Sequence, residues 1–132
     1  MINNREILLT EGYDPVRKFR FYVPVGGGVE FGESIRAAAE REMHEELGLS
    51  GQTLHFVNFH ESIFEFLGKT EHEIVFHFIC HITDESRANL PTHVVESNGE
   101  QVEYAWYSKA KLEKIASGVV PPQIYDEAIA AL

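Results

Sequence analysis

The sequence is short of positive charge, of aspartate and of cysteine, and each shortage closes a class of function. Eleven Lys and Arg stand against 21 Asp and Glu, leaving a formal net charge of -10 over 132 residues, which argues against a general grip on DNA or RNA. Only three of the acids are Asp and 18 are Glu, so the question is whether a helix or a metal collects these longer carboxylate arms. Cys80 is the single cysteine; it excludes an internal disulfide and a multi-Cys zinc site and reads as a small buried hydrophobe in a strand. Apolar runs are broken by His, Glu or Asn every few residues, so a membrane span of about 20 residues is missing. Met1 to Arg5 lacks the apolar core of a signal peptide, and a cytoplasmic location is expected. Repeats, low-complexity tracts and Pro/Ser-rich linkers are also missing, so residues 1–132 are expected to form one domain around one core.

What is present is an order of short apolar elements around one helix. Ile7-Leu8-Leu9 comes first, followed by a polar and basic connection through Pro15 to Lys18. Phe19 to Val25 has strand character and runs into Pro24 and the glycines 26 to 28. Ser34 to Leu47 follows at helical period and stops at Gly48. Leu54 to Phe66 predicts one bent strand or two. Ile74 to Ile82 alternates, with Ile74, Phe76, Phe78, Cys80 and Ile82 on one face and Val75, His77, Ile79 and His81 on the other. Thr83 to Gln101 is polar and irregular, long enough for a functional loop. Val102 to Tyr107 predicts another strand, Ser108 caps a short helix carrying Leu112 and Ile115, and Pro121-Pro122 opens a last helix that packs through Ile124, Ala128, Ile129 and Leu132. Strands before and after a central helix, without strict alternation, predict an α+β fold with a mixed sheet.

The helix breaks its own pattern. At 100 degrees per residue, Ala38, Ala39, Met43 and Leu47 fall within about 120 degrees of Ile35 and define the buried stripe. Glu42 and Glu46 land about 20 degrees either side of Ile35, in the middle of that stripe, and Glu45 lies at its edge. A solvated acidic face does not explain acids in line with Ile35. Like charges at i, i+4 also repel, and more so when half buried. Three Glu at i, i+3 and i+4 can converge on divalent ions about 3.5 to 4 Å apart, and hard carboxylate oxygens favour Mg2+ or Mn2+. The pattern favours such a site over a structural ion-pair face.

Gly26-Gly27-Gly28-Val29-Glu30-Phe31-Gly32-Glu33 adds a second part. Glycines at a helix start let backbone approach a ligand, and the helix N-terminus favours anions. Alone, this is equally an ordinary strand-to-helix turn; beside a metal-binding helix it suggests a polyphosphate held between cations and backbone.

Together these residues resemble the signature of the Nudix hydrolase family, complete here as Gly27, Glu33, Arg41-Glu42-Met43-His44-Glu45-Glu46-Leu47-Gly48-Leu49. Seven fixed positions at ordinary residue frequencies coincide by chance on the order of once in a million chains of this length. The resemblance implies an α/β/α sandwich with a mixed sheet between helices, and hydrolysis of a nucleoside diphosphate linked to another moiety, in nucleotide housecleaning or salvage. It implies Mg2+ or Mn2+ on Glu42, Glu45 and Glu46, with the Gly26 carbonyl as a further ligand. Arg41 would hold the carboxylates, and Glu33 would support the loop or an outer ion. Glu42, Glu100 and Glu103 are the candidate general bases. Gly27, Gly28, Phe31 and His72 are candidate substrate contacts.

Departures from the family pattern are local. Val25 stands where Pro usually precedes the paired glycines, Phe31 replaces a frequent Pro, and few residues precede Ile7, so the first strand is expected to be short or truncated. Neither the Pro typical of ADP-ribose hydrolases nor the Tyr typical of dinucleoside polyphosphate hydrolases stands at Phe64 to Leu67. Phe64, Phe66, Tyr104 and Trp106 offer stacking surface, although alternating strand aromatics are more often core. The expected partner is a small nucleotide diphosphate, with no nucleic acid polymer and no membrane, and the expected state is a monomer or homodimer. Two other readings are a catalytically silent Nudix-like nucleotide-binding module and a diphosphate-ester isomerase on the same fold.

Overall fold

A computed structural model describes residues 1–96 and 98–132. The first strand, β1 (Ile2–Asn3), is two residues long and turns back onto β2 (Glu6–Asp14), which pairs further along with β3 (Phe19–Val23). The 15–18 connection closes that hairpin: Asp14, buried, accepts hydrogen bonds from the Val16 and Arg17 amides, an Asx turn at the place where Pro15 stops the strand. The opposite edge of β2 takes β8 (Tyr104–Ser108). The predicted strand from Val102 is thus divided into β7 (Gln101–Val102), paired with β6 (Val94–Val95), and β8.

Register explains why the sheet has two covered faces. Leu8 opposes Trp106, whereas Ile7 opposes Tyr107 and Leu9 opposes Ala105. Side chains alternate across a strand, so Ile7 and Leu9 point one way and Leu8 the other. On the Ile7 side lie α3 (Lys109–Ile115) and α4 (Gln123–Ala131), which bury Leu112, Ile124 and Ala128 with Val119. On the Trp106 side, Trp106 packs with Leu54, Cys80 and Ile82 and with Ala39 and Met43 of α1 (Ile35–Leu47). This is the α+β sandwich expected from the sequence. Its ladders are antiparallel, and parallel pairing is confined, among the described residues, to the single bridges Ile2–His81 and Tyr22–Val119. No helix is long and apolar enough to cross a membrane.

The region between Leu54 and Cys80 is one long hairpin of β4 (Leu54–Phe66) and β5 (Lys69–Cys80), with a register shift between Phe56 and Asn58 that supplies the expected bend. The Ile74-to-Ile82 face is buried only at its Cys80 end, and Ile74 is 62% exposed, because the hairpin extends beyond the helices that cover its base. On the opposite face, His77 is buried. The polar stretch expected as a loop opens instead with a helix: Thr83 caps α2 (Asp84–Ala88) through the Ser86 amide. Ser108 precedes α3, but its side chain makes no capping bond.

Candidate active site

Helix α1 begins where Ser34 accepts a hydrogen bond from the Ala37 amide and ends where Gly48 takes a left-handed φ of 68°, a conformation that favours glycine. Those limits fix the wheel. Glu46 is 6% exposed and lies among the helix's buried residues with Ala38 and Leu47. The Glu42 side chain is 14% exposed, and Glu45 at the stripe's edge is 53% exposed. Two carboxylates do occupy core-facing positions.

Arg41 organises what lies around them. Its Nε and Nη2 donate to the two oxygens of Glu33 at 3.1 and 2.7 Å, and Nη1 donates to Glu42 at 2.7 Å and Glu45 at 3.2 Å. Nη2 also donates to the Gly28 carbonyl at 2.9 Å. The planar guanidinium matches a carboxylate bidentately, which a lysine ammonium does not. Glu33 in turn accepts from the Glu30 amide at 2.8 Å, so the glycine loop is closed onto the helix through Glu33 and Arg41. Arg41 holds the Glu33 carboxyl below its ordinary range, with the Glu30 amide adding to the effect, and the carboxylates in return raise the Arg41 pKa.

Glu46 has no such partner among the described residues, from which it accepts one hydrogen bond, that of the Gly26 amide at 3.2 Å. Burial, then the charges of Glu96 and Glu42, push its pKa up to about 8. Five carboxylates (Glu33, Glu42, Glu45, Glu46, Glu96) therefore share this region, and among the described residues Arg41 is the one cation in ion-pair contact with any of them. Buried like charges without a counter-ion are costly, and the hard oxygen donors of Glu42, Glu45 and Glu46 suit Mg2+ or Mn2+. The residues present fit such an ion.

Gly27 explains the local requirement for glycine. A Cβ there would fall on the Glu42 carboxylate, well inside van der Waals contact. The loop backbone thus approaches the carboxylates as closely as the sequence pattern implies.

Other sequence candidates scatter. Phe31 is fully exposed at the loop tip. His72 lies on the exposed part of the hairpin and meets Glu61 at 3.1 Å, sharing no hydrogen bond with the α1 carboxylates. Trp106 lies under the Arg87 guanidinium, 4.2 Å from ring centroid to Cζ, Phe66 stacks edge-on against Phe21, and Tyr104 donates to the Pro91 carbonyl. Glu103 is exposed, and its backbone carbonyl accepts from the Glu11 amide. Glu100 pairs through its backbone carbonyl with the Glu96 amide.

Glu96 is the residue that sequence reasoning passed over. It follows β6, which packs on α1, and burial together with the charges of Glu42 and Glu100 raises its pKa. Its only signal was position: an acid directly after Val94-Val95 in the polar segment.

A model of the NUDIX domain family matches residues 1–126. The chain is 50% identical over 46 residues to an oxidized purine nucleoside triphosphate hydrolase of Danio rerio, a match covering 35% of this chain and 28% of that relative. Among solved structures, the E. coli ORF135 protein aligns over 98% of this chain and 83% of its own at 28% identity and a TM-score of 0.59. A C. elegans Ap4A hydrolase aligns over 96% and 84% at 23% identity and a TM-score of 0.58, a likeness of fold. With the signature complete on α1 and the family match spanning nearly the whole chain, this protein belongs to the Nudix hydrolase family.

Proposed function

We propose that this chain hydrolyses a phosphoric anhydride bond in a nucleoside diphosphate linked to another moiety, with Mg2+ or Mn2+ held by Glu42, Glu45 and Glu46 and by the Gly26 carbonyl. The observation that carries this reading is Glu46, a buried carboxylate that has, among the described residues, one amide donor and no cation, beside a second carboxylate in the same packed stripe. A pure binding module has no use for that arrangement, and the silent-module reading is weaker for it. When bound, the divalent ions neutralise phosphate oxygens, lower the pKa of water and stabilise the leaving group.

The chain's own residues supply the rest. Arg41 holds the Glu42 and Glu45 carboxyl groups in place through Nη1. Gly27 and Gly28 bring the loop backbone alongside Glu42 and Arg41, where a polyphosphate bound at the carboxylates would meet it. Glu96 stands as a loop carboxylate able to take the proton of an attacking water, a position better coupled to Glu42 and Glu46 than those of Glu100 and Glu103. Burial and the charges of Glu42 and Glu100 raise its pKa, a shift in the direction that favours a general base.

The name of the Danio rerio relative places purine nucleoside triphosphates first in a substrate panel, followed by nucleoside diphosphate sugars and dinucleoside polyphosphates. The expected result with Mg2+ is release of a nucleoside monophosphate from at least one class. Binding of a panel member with no turnover of any would return the silent-module reading, and rearrangement without hydrolysis would return the isomerase.

Gly27→Ala tests the loop. The added methyl must displace Glu42, so we expect the Mg2+ concentration for half-maximal rate to rise about ten-fold or more, with the circular dichroism spectrum unchanged. An unchanged Mg2+ dependence would show that Glu42 is free to move without consequence.

A further inference from the structure

A second constellation lies away from α1, where α4 crosses the base of the β4–β5 hairpin. His77 opposes Asn58 and His60 opposes Val75, so the two imidazoles are diagonal neighbours on one face of the hairpin. Their ring centroids are 4.9 Å apart. Glu127 of α4 reaches between them: its Oε1 is 2.7 Å from His60 Nε2 and its Oε2 is 2.7 Å from His77 Nδ1. The candidate donor atoms all lie within 4.8 Å of one another. His77 is 6% exposed, and the side chains of His60 and Glu127 are about four-fifths buried.

Hydrogen bonding alone leaves this cluster incomplete. The Nε2 atom of His77 is buried and has no partner among the described residues, whereas Nδ1 is the nitrogen that faces Glu127 and through which this ring would hold an ion. Glu127 has no Lys or Arg within ion-pair distance among the described residues; its two partners are the imidazoles. Two imidazole nitrogens and one carboxylate, with a fourth position left for water, form a donor set suited to zinc. Nitrogen donors favour Zn2+, Co2+ or Ni2+ over Mg2+, which separates this set from the all-carboxylate group on α1. A tetrahedral zinc site spaces its donor atoms about 3.3 Å apart, so each imidazole nitrogen, now 2.7 Å from a Glu127 oxygen, needs to open from it by only some tenths of an ångström. The donors come from β4, β5 and α4 and share no residue with the hydrolytic site.

We propose that His60, His77 and Glu127 form a second metal site that binds a nitrogen-preferring divalent cation, with Zn2+ the expected occupant, and fastens α4 to the β4–β5 hairpin. The inference does not depend on the hydrolase reading.

The test is titration of the metal-free full chain with Co2+ in excess Mg2+, which keeps the α1 carboxylates occupied, followed by the visible ligand-field bands of nitrogen-ligated Co2+. We expect one equivalent to bind, the bands to vanish on adding Zn2+, and Zn2+ to raise the Tm. In His60→Gln and Glu127→Gln, affinity for Co2+ should fall about ten-fold or more and the Zn2+ shift in Tm should disappear, while His60→Gln keeps its Mg2+-dependent hydrolysis. Because His60 is partly exposed, that variant is expected to fold even if Glu127→Gln does not. Absence of stoichiometric Co2+ binding by the native chain, or identical titrations for native and His60→Gln, would overturn the proposal.

Discussion

Replacing Glu46 by Gln should remove hydrolysis and stabilise the metal-free protein at the same time. The loss of rate is expected on the order of a thousand-fold, because one anchoring carboxylate of the charge-stabilising group is gone. The gain in stability follows from the site's electrostatics. Glu46 is pushed up to about 8 in the folded chain, above the roughly 4.3 of an unfolded Glu. Between those values the folded state holds a proton that the unfolded state has released. Stability therefore falls as pH rises through this window, and the penalty is complete above about 8. Gln carries no such penalty. In a chelator, the Tm of Glu46→Gln should exceed that of the native chain by roughly 2 to 6 °C at pH 8.5, and the gap should close toward pH 5. Added Mg2+ should raise the Tm of the native chain more than that of the variant, reducing or reversing the difference. A variant that is less stable at pH 8.5 in chelator would show that Glu46 is a structural acid.

Arg41→Lys carries the second large effect. The guanidinium spans Glu33, Glu42, Glu45 and the Gly28 carbonyl from three nitrogens in one plane. An ammonium keeps the charge but offers one nitrogen, so the loop and the helix carboxylates cannot be held together. We expect the hydrolysis rate at saturating Mg2+ to drop about a hundred-fold, the Mg2+ requirement to rise, and the metal-free Tm to fall. Activity within about three-fold of native would mean that charge near Glu42, rather than the fork, is what the site needs.

How far the sequence carried these conclusions depends on the range of the interactions involved. The ends of α1 were legible because a Ser cap and a Gly stop act within four residues. The burial of Glu46 was legible from the helical period alone. Closure of the loop by Glu33 and Arg41 was implied only through family resemblance, since two residues eight apart in sequence meet here because of how the loop folds back. The long hairpin was legible as apolar and alternating, yet which end is covered depends on where α1 and α4 stop. That is why Ile74 is open to solvent while His77 is buried. Glu96 and Glu127 were missed for the same reason: each meets residues at least 50 positions away, Glu42 and Glu46 for the first and His60 and His77 for the second, through packing of a separate element. The sequence's large acid excess is also partly resolved. Residues 30 to 46 hold six Glu and two Arg, and the structure gathers most of those acids onto the loop and one helix edge.

The most direct test of the central claim, that the α1 carboxylates hold a divalent ion used for hydrolysis, is the rate of nucleoside monophosphate release from the best panel substrate as Mg2+ is titrated into chelated protein. The account predicts no release in chelator, a saturable rise with Mg2+, and a comparable rise with Mn2+. Release that proceeds undiminished in chelator would contradict it.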